Sequence, residues 1–153
     1  MSEATTARVG YLIKRAQTVL HDAMVVALRP FGLTVTQFAV LTALEEEPGL
    51  SNADLARRAF VTPQSMHAVL QELESRQLLV RRTHPQHRRV LQAELTASGR
   101  ATLEKAADAV DAVEGRMLGK LSDQARSRLA GALSSCVEAL TESPPSSVAH
   151  RRQ

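Results

Sequence analysis

The 153 residues are 44% hydrophobic and include one cysteine, three Phe, one Tyr and no Trp. That is enough apolar mass for one packed domain, and a lone thiol excludes an intramolecular disulfide and fits a reducing, cytoplasmic setting. The formal charge is only +3, but residues 51–95 hold seven arginines against four acids, while the other 108 residues carry twelve charges of each sign. A positive excess confined to one segment points to an anion met there. No apolar run approaches the roughly 20 residues of a membrane helix, and the N-terminus lacks the basic-then-apolar order of a secretory signal.

Apolar residues at Val9, Leu12, Ile13, Ala16, Val19, Leu20, Ala23, Val26 and Ala27 fall on one face of a helix predicted over residues 7–28. "RPFG" (29–32) breaks it, because proline cannot donate to the ladder and glycine permits a tight turn. Thr34 with Gln37 three residues on predicts a capping box and a second helix through Phe38, Leu41 and Leu44, stopped by "EPG" (47–49). Ser51 with Asp54 predicts another box and a short helix with Leu55 and Ala56 facing inward. Thr62 followed by Pro63 predicts the next start. In that helix Met66, Val69, Leu70 and Leu73 form the buried stripe, leaving Gln64, Ser65, His67, Ala68, Gln71 and Glu72 outward.

The period then changes to two. "LLVRRT" (78–83) and "VLQAEL" (90–95) predict a hairpin, with Leu91, Ala93 and Leu95 available for one buried face. Between them lies "RRTHPQHRRV" (81–90), with Pro85 stiffening the turn and Arg88 and Arg89 at its tip. From Thr96 the helical period returns in Leu103, Ala106, Val110, Val113, Met117 and Leu121. Ser122 caps a last helix with Leu129, Leu133, Cys136, Val137 and Leu140 on one face, where Cys136 is expected to be a buried small hydrophobe.

The expected fold class is therefore mainly α with a small β-hairpin wing: a winged helix-turn-helix with long terminal helices. Its expected parts are an N-terminal dimerisation helix (1–33), a DNA-binding module (34–95), C-terminal dimerisation helices (96–142) and a flexible tail (143–153). The long helices carry more apolar face than a module of this size can cover, so a second copy of the chain is the expected partner. In such a module the second helix enters the major groove, which is about 12 Å wide, and reads base edges near its N-terminus. The residues so placed are Thr62, Pro63, Gln64, Ser65, His67 and Gln71, with Ser51 and Thr62 beside helix N-termini that face phosphates. Arg81, Arg82, His87, Arg88 and Arg89 supply the wing. There is no Gly-rich phosphate loop, no nucleophile–base pattern and no metal-ligand spacing, so neither an enzyme nor a cofactor is expected.

The run "LSNADLARRAFVTPQSMHAVLQELESRQLLVRRTHPQHRRVLQAELTASGR" (50–100) resembles the core of the MarR (multiple antibiotic resistance) family of transcriptional regulators. The resemblance is carried by Leu55 and Ala56 of the short helix, by "LQELESRQLL" at the end of the recognition helix, by Leu95, Thr96 and Gly99 after the wing, and by "LTVTQFAVL" (33–41). It implies a dimeric winged helix-turn-helix repressor held together by its terminal helices. Where the family's wing reads Asp-x-Arg, this chain has His87, Arg88 and Arg89, so Arg89 inherits the minor-groove role and His87 replaces the carboxylate. Gln77 stands where a glycine is common. The resemblance further implies a small aromatic or phenolic effector, for which His21, Met24, Leu28, Phe31 and Phe38 are the candidate pocket, with an ordinary core as the simpler reading of the same residues. Two alternatives remain: a winged-helix module for protein–protein contact, and a thiol-based redox sensor acting through Cys136.

Overall fold

The computed structural model describes residues 8–142, so the expected tail at 143–153 and the start of the first helix at residue 7 lie outside the described residues. The elements are α1 (Val9–Leu28), a 3-10 turn (Arg29–Phe31), α2 (Val35–Glu46), β1 (Leu50–Ser51), α3 (Asn52–Arg58), α4 (Pro63–Ser75), β2 (Leu79–Thr83), β3 (Leu91–Leu95), α5 (Ala97–Leu118) and α6 (Asp123–Thr141). The chain divides into two compact units between Glu114 and Gly115, inside α5.

In the first unit the helix starts follow the predicted caps. The Thr34 hydroxyl accepts from the Gln37 N–H, and the Gln37 side chain accepts from the Thr34 N–H, which satisfies two otherwise orphaned donors. Ser51 and Asp54 close the same box on α3, and Thr62 caps α4 with Pro63 in the first turn. Gly32 ends the 3-10 turn in the left-handed region (φ 64°), which is why the chain turns so sharply there.

The core gathers Leu28, Val40, Leu41, Leu44, Leu55, Met66, Leu70, Leu73 and Leu79, each essentially without solvent contact. It is thus built from the end of α1, from α2, from the inward faces of α3 and α4, and from the sheet. That sheet is antiparallel and three-stranded in the order β1-β3-β2. The two-residue β1 was not predicted: Leu50 pairs with Ala93 and Ser51 with Gln92. On β2 and β3, Leu79 faces Leu95, Arg81 faces Ala93 and Thr83 faces Leu91. Leu79, Ala93 and Leu95 are buried as expected, whereas Leu91 is 45% exposed, because that face extends beyond the packed part of the sheet toward the tip.

The join between β3 and α5 explains the Leu-Thr-x-x-Gly signature. The Thr96 N–H donates to the Leu78 carbonyl (3.1 Å), its hydroxyl donates to the Gln77 carbonyl (2.6 Å) and accepts from the Gly99 N–H (3.0 Å). A Cβ on Gly99 would lie 1.9 Å from the Leu78 carbonyl oxygen, so only glycine lets α5 approach the residue before β2 this closely.

The second unit comprises the end of α5 and α6, which starts at a Ser122 cap that accepts from the Ala125 N–H. Leu129, Leu133, Val137 and Leu140 are exposed on α6. Cys136 is exposed as well, so within the described residues of one chain it is not the buried thiol expected. On α1, Val9, Leu12, Ile13, Val19 and Val26 are likewise exposed.

Candidate nucleic-acid interface

The exposed face of α4 presents Gln64, Ser65, His67 and Gln71, while Met66, Leu70 and Leu73 anchor the opposite face. Thr62 and Ser65 are mutually engaged: the Thr62 hydroxyl accepts from the Ser65 N–H (3.1 Å) and donates to its hydroxyl (2.9 Å). The first turn is thereby fixed, and the ends of Gln64, His67 and Gln71 are left to the solvent. Asn52 ties α3 to this helix by donating to the Pro63 carbonyl at 3.1 Å.

The Ser51 side chain is engaged at the start of its own helix. Its hydroxyl donates to Asp54 (2.7 Å) and its N–H reaches the same carboxylate (3.3 Å), so a negative charge already occupies the N-terminus of α3. The Ser51 hydroxyl, Ser51 N–H, Arg57 and Arg58 hold the Asp54 carboxyl below the usual carboxylate range, against a smaller opposing effect of burial.

The wing arginines fall into two pairs. Arg81 shares a face of β2 with Leu79 and is only 15% exposed at its side chain; its guanidinium meets Glu74 of α4 at 2.8 and 2.9 Å. It braces the hairpin against the recognition helix. Arg82 points to the other face, largely exposed, 3.8 Å from Glu94. Arg88 and Arg89 occupy the centre of a turn closed by a Val90 N–H to His87 carbonyl bond of 2.9 Å, and among the described residues neither forms an ion pair.

What organises this tip is His84. The Nδ1 of His84 accepts from the N–H groups of Gln86 (3.0 Å) and His87 (3.1 Å), and the His84 N–H donates to the Val90 carbonyl (2.9 Å). The His87 ring lies against that of His84, with centroids 5.0 Å apart. His87 therefore contributes its backbone and its ring, and the His84 imidazole, accepting both amides at Nδ1, braces the loop. Only the His84-Pro-x-His87 spacing could have signalled it.

A cavity of about 400 Å³ is lined by Ser51, Asn52, His67, Arg81, Arg89 and the apolar side chains between them. It draws the start of α3, the face of α4 and the wing into one concave surface. The expected effector residues do not converge in this way. Leu28 is sealed in the core, and Phe31 and Phe38 pack against it. His21 lines a cavity of about 360 Å³ shared with Val25, Arg29, Leu33 and Val35. Met24 is half-buried and borders neither of these cavities.

Residues 31–90 match the MarR family model. Over 122 residues the chain is 43% identical to the HTH-type transcriptional repressor Rv2887 of Mycobacterium tuberculosis, a match spanning 80% of this chain and 88% of that protein. This chain belongs to the MarR family. Among solved MarR-family structures, Rv2887 in complex with DNA is 38% identical with a TM-score of 0.71, covering 85% of this chain and 98% of that one. The repressor CouR bound to a 23-mer DNA duplex is 32% identical with a TM-score of 0.81, covering 88% and 96%. Rv2887 in complex with salicylic acid is 39% identical, with a TM-score of 0.71 and coverage of 85% and 96%. The winged helix-turn-helix architecture is thus common to this chain and to proteins crystallised on DNA. No single helix among the described residues is long and apolar enough to cross a membrane.

Proposed function

We propose that this chain is a homodimeric transcriptional repressor of the cytoplasm, without catalytic activity, that binds a pseudo-palindromic operator. The observation that carries the reading is the wing tip: two adjacent arginines, unpaired with any acid among the described residues, sit at the centre of a turn that hydrogen bonds hold in one shape. They share the module with a recognition helix whose outer face is polar. In the DNA complex α4 enters the major groove, with Gln64, Ser65, His67 and Gln71 toward base edges and Pro63 and Thr62 setting its N-terminus beside a phosphate. Arg88 and Arg89 reach the flanking minor groove, where narrow A·T-rich stretches have the most negative potential. Arg82 faces the backbone, and Arg81 holds the wing to α4.

The exposed apolar stripes of α1 and α6 support the dimer, since a second copy is the simplest cover for them. Two recognition helices would then meet successive major grooves about 10 bp apart. A polar, arginine-flanked α4 disfavours the alternative of a protein-binding winged helix, whose recognition surface would be apolar. The cavity beside His21 and Arg29 suits a small aromatic anion, and Rv2887 has been crystallised with salicylic acid. Salicylate binding there would pair its carboxylate with Arg29 or His21 and its ring with Val25, Leu33 and Val35.

The test is fluorescence anisotropy with duplex DNA from the promoter beside the chain's own gene, over a range of salt. Binding whose logarithm falls linearly with log salt, and which salicylate weakens, is the expected result. Salt-independent or absent binding would refute the reading.

A further inference from the structure

Phe60 sits in the tight turn between α3 and α4, is 95% exposed, and has a left-handed backbone (φ 57°). Both properties are costly. A bulky L-residue in that region is strained where glycine is not, and an exposed phenyl ring contributes nothing to the core. The turn does not need this residue to fold. Ala59 and Val61 on either side pack against the core, and the backbone is closed by the Val61 N–H to the Ala56 carbonyl (3.0 Å) and the Ala59 N–H to the Leu55 carbonyl (2.9 Å). Nor does it belong to the stripes assigned to the second copy, which lie on α1 and α6. Within residues 34–95 it stands apart, since the next most exposed large hydrophobic residue is Leu91 at 45%.

We propose that the Phe60 ring is an apolar DNA contact, seated against deoxyribose and thymine methyl groups at the edge of the major groove that α4 enters. The inference rests on the DNA-binding function proposed above. Phe60 is two residues from the Thr62 cap, hence at most about 7 Å from it along the chain, and the groove is about 12 Å wide. A ring extending from that position meets the groove wall rather than bulk solvent once α4 is inserted. Apolar side chains recognise the thymine methyl, and they do so without releasing counterions. Arg57 and Arg58, next to the turn, are paired with Asp54 and Glu47, so the local chemistry offered to DNA is the ring and not a charge. A strained, exposed aromatic beside a recognition helix is the pattern expected when backbone cost is retained for contact.

The experiment compares the wild type with Phe60→Gly and Phe60→Leu on a duplex selected by the wild-type protein from random DNA. Phe60→Gly should melt at or above the wild-type temperature, because glycine suits the left-handed turn, yet bind about tenfold more weakly, the scale of one partly buried ring. Its salt slope should equal that of the wild type, and Phe60→Leu should fall between the two. Replacing thymine by uracil in the probe should weaken the wild type and leave Phe60→Gly unaffected. Equal affinity of Phe60→Gly and wild type overturns the inference alone. So does a changed salt slope, the mark of a lost phosphate contact, or a weakened dimer on ultracentrifugation, which would assign the ring to the second copy. Failure of the wild type to bind any duplex overturns the proposed function and this inference with it.

Discussion

The guanidinium of Arg76, at the end of the recognition helix, donates to the Gly32 carbonyl at 2.7 Å, and its second nitrogen reaches the Phe31 carbonyl at 3.3 Å. One side chain thus ties α4 to the turn between α1 and α2, across 44 residues of sequence. The fork is suited to this, since its planar donors meet two carbonyls at once, whereas a lysine is a single point of charge. Arg76→Ala should cost about 1–2 kcal/mol, lowering Tm by roughly 3–6 °C for a chain of this length. Arg76→Lys should recover less than half of that in thermal melts. Because Gly32 also borders the cavity beside His21, the same variant should blunt the effect of salicylate on DNA affinity.

Gln77 follows α4 with φ 60°, at the position where the family commonly has glycine. A side chain there is strained whatever space surrounds it. Gln77→Gly should raise stability by about 0.5–1 kcal/mol, the left-handed penalty less the added freedom of glycine in the unfolded chain. Urea unfolding with an unchanged m-value would verify it.

Arg89 and Gln64 should separate affinity from specificity. Arg89→Ala is expected to weaken binding to all duplexes by a similar factor and to reduce the slope of log affinity against log salt by about 1. Gln64→Ala should leave the slope unchanged and shift base preference at one position by about 1–3 kcal/mol. Anisotropy on matched and single-mismatch duplexes measures both.

Asp54 sets an acid limit on the start of α3. Its folded carboxyl is held below its unfolded value, so the stabilisation is complete above the ordinary range and lost as pH falls through the folded value, below about 4. The Ser51 hydroxyl is the largest cause, ahead of Arg57 and Arg58. In NMR titrations Ser51→Ala should therefore raise the Asp54 midpoint more than Arg57→Ala does. A larger effect of the arginine would contradict the geometry.

The helix starts were legible because capping is local: Thr34 with Gln37, Ser51 with Asp54 and Thr62 with Pro63 each fit inside one turn. The hairpin was legible from its change of period, and the arginine tip from its position between two strands. β1 was not, since two residues carry no alternation, and its pairing partner Ala93 lies more than forty positions away. Arg81 illustrates a different limit. Alternation places it on the same face as Leu79, but the carboxylate that receives it, Glu74, is brought there by how α4 packs on the sheet. Phe60 and Gln77 escape pattern analysis for a third reason: their significance lies in a backbone angle, and no periodicity records one.

The His84 imidazole at the wing has an electrostatic consequence. Where an aspartate braces such a loop, its charge offsets that of a neighbouring arginine. Here the acceptor is an uncharged ring nitrogen that binds two amide protons, so the loop keeps its shape while Arg88 and Arg89 both retain their full charge. The brace itself, being dipolar, is little weakened by salt, whereas the field it positions is strongly screened. Shape and charge at the wing are thus governed separately: ionic strength sets how far the field of the two arginines reaches, and the His84 ring sets where those charges stand.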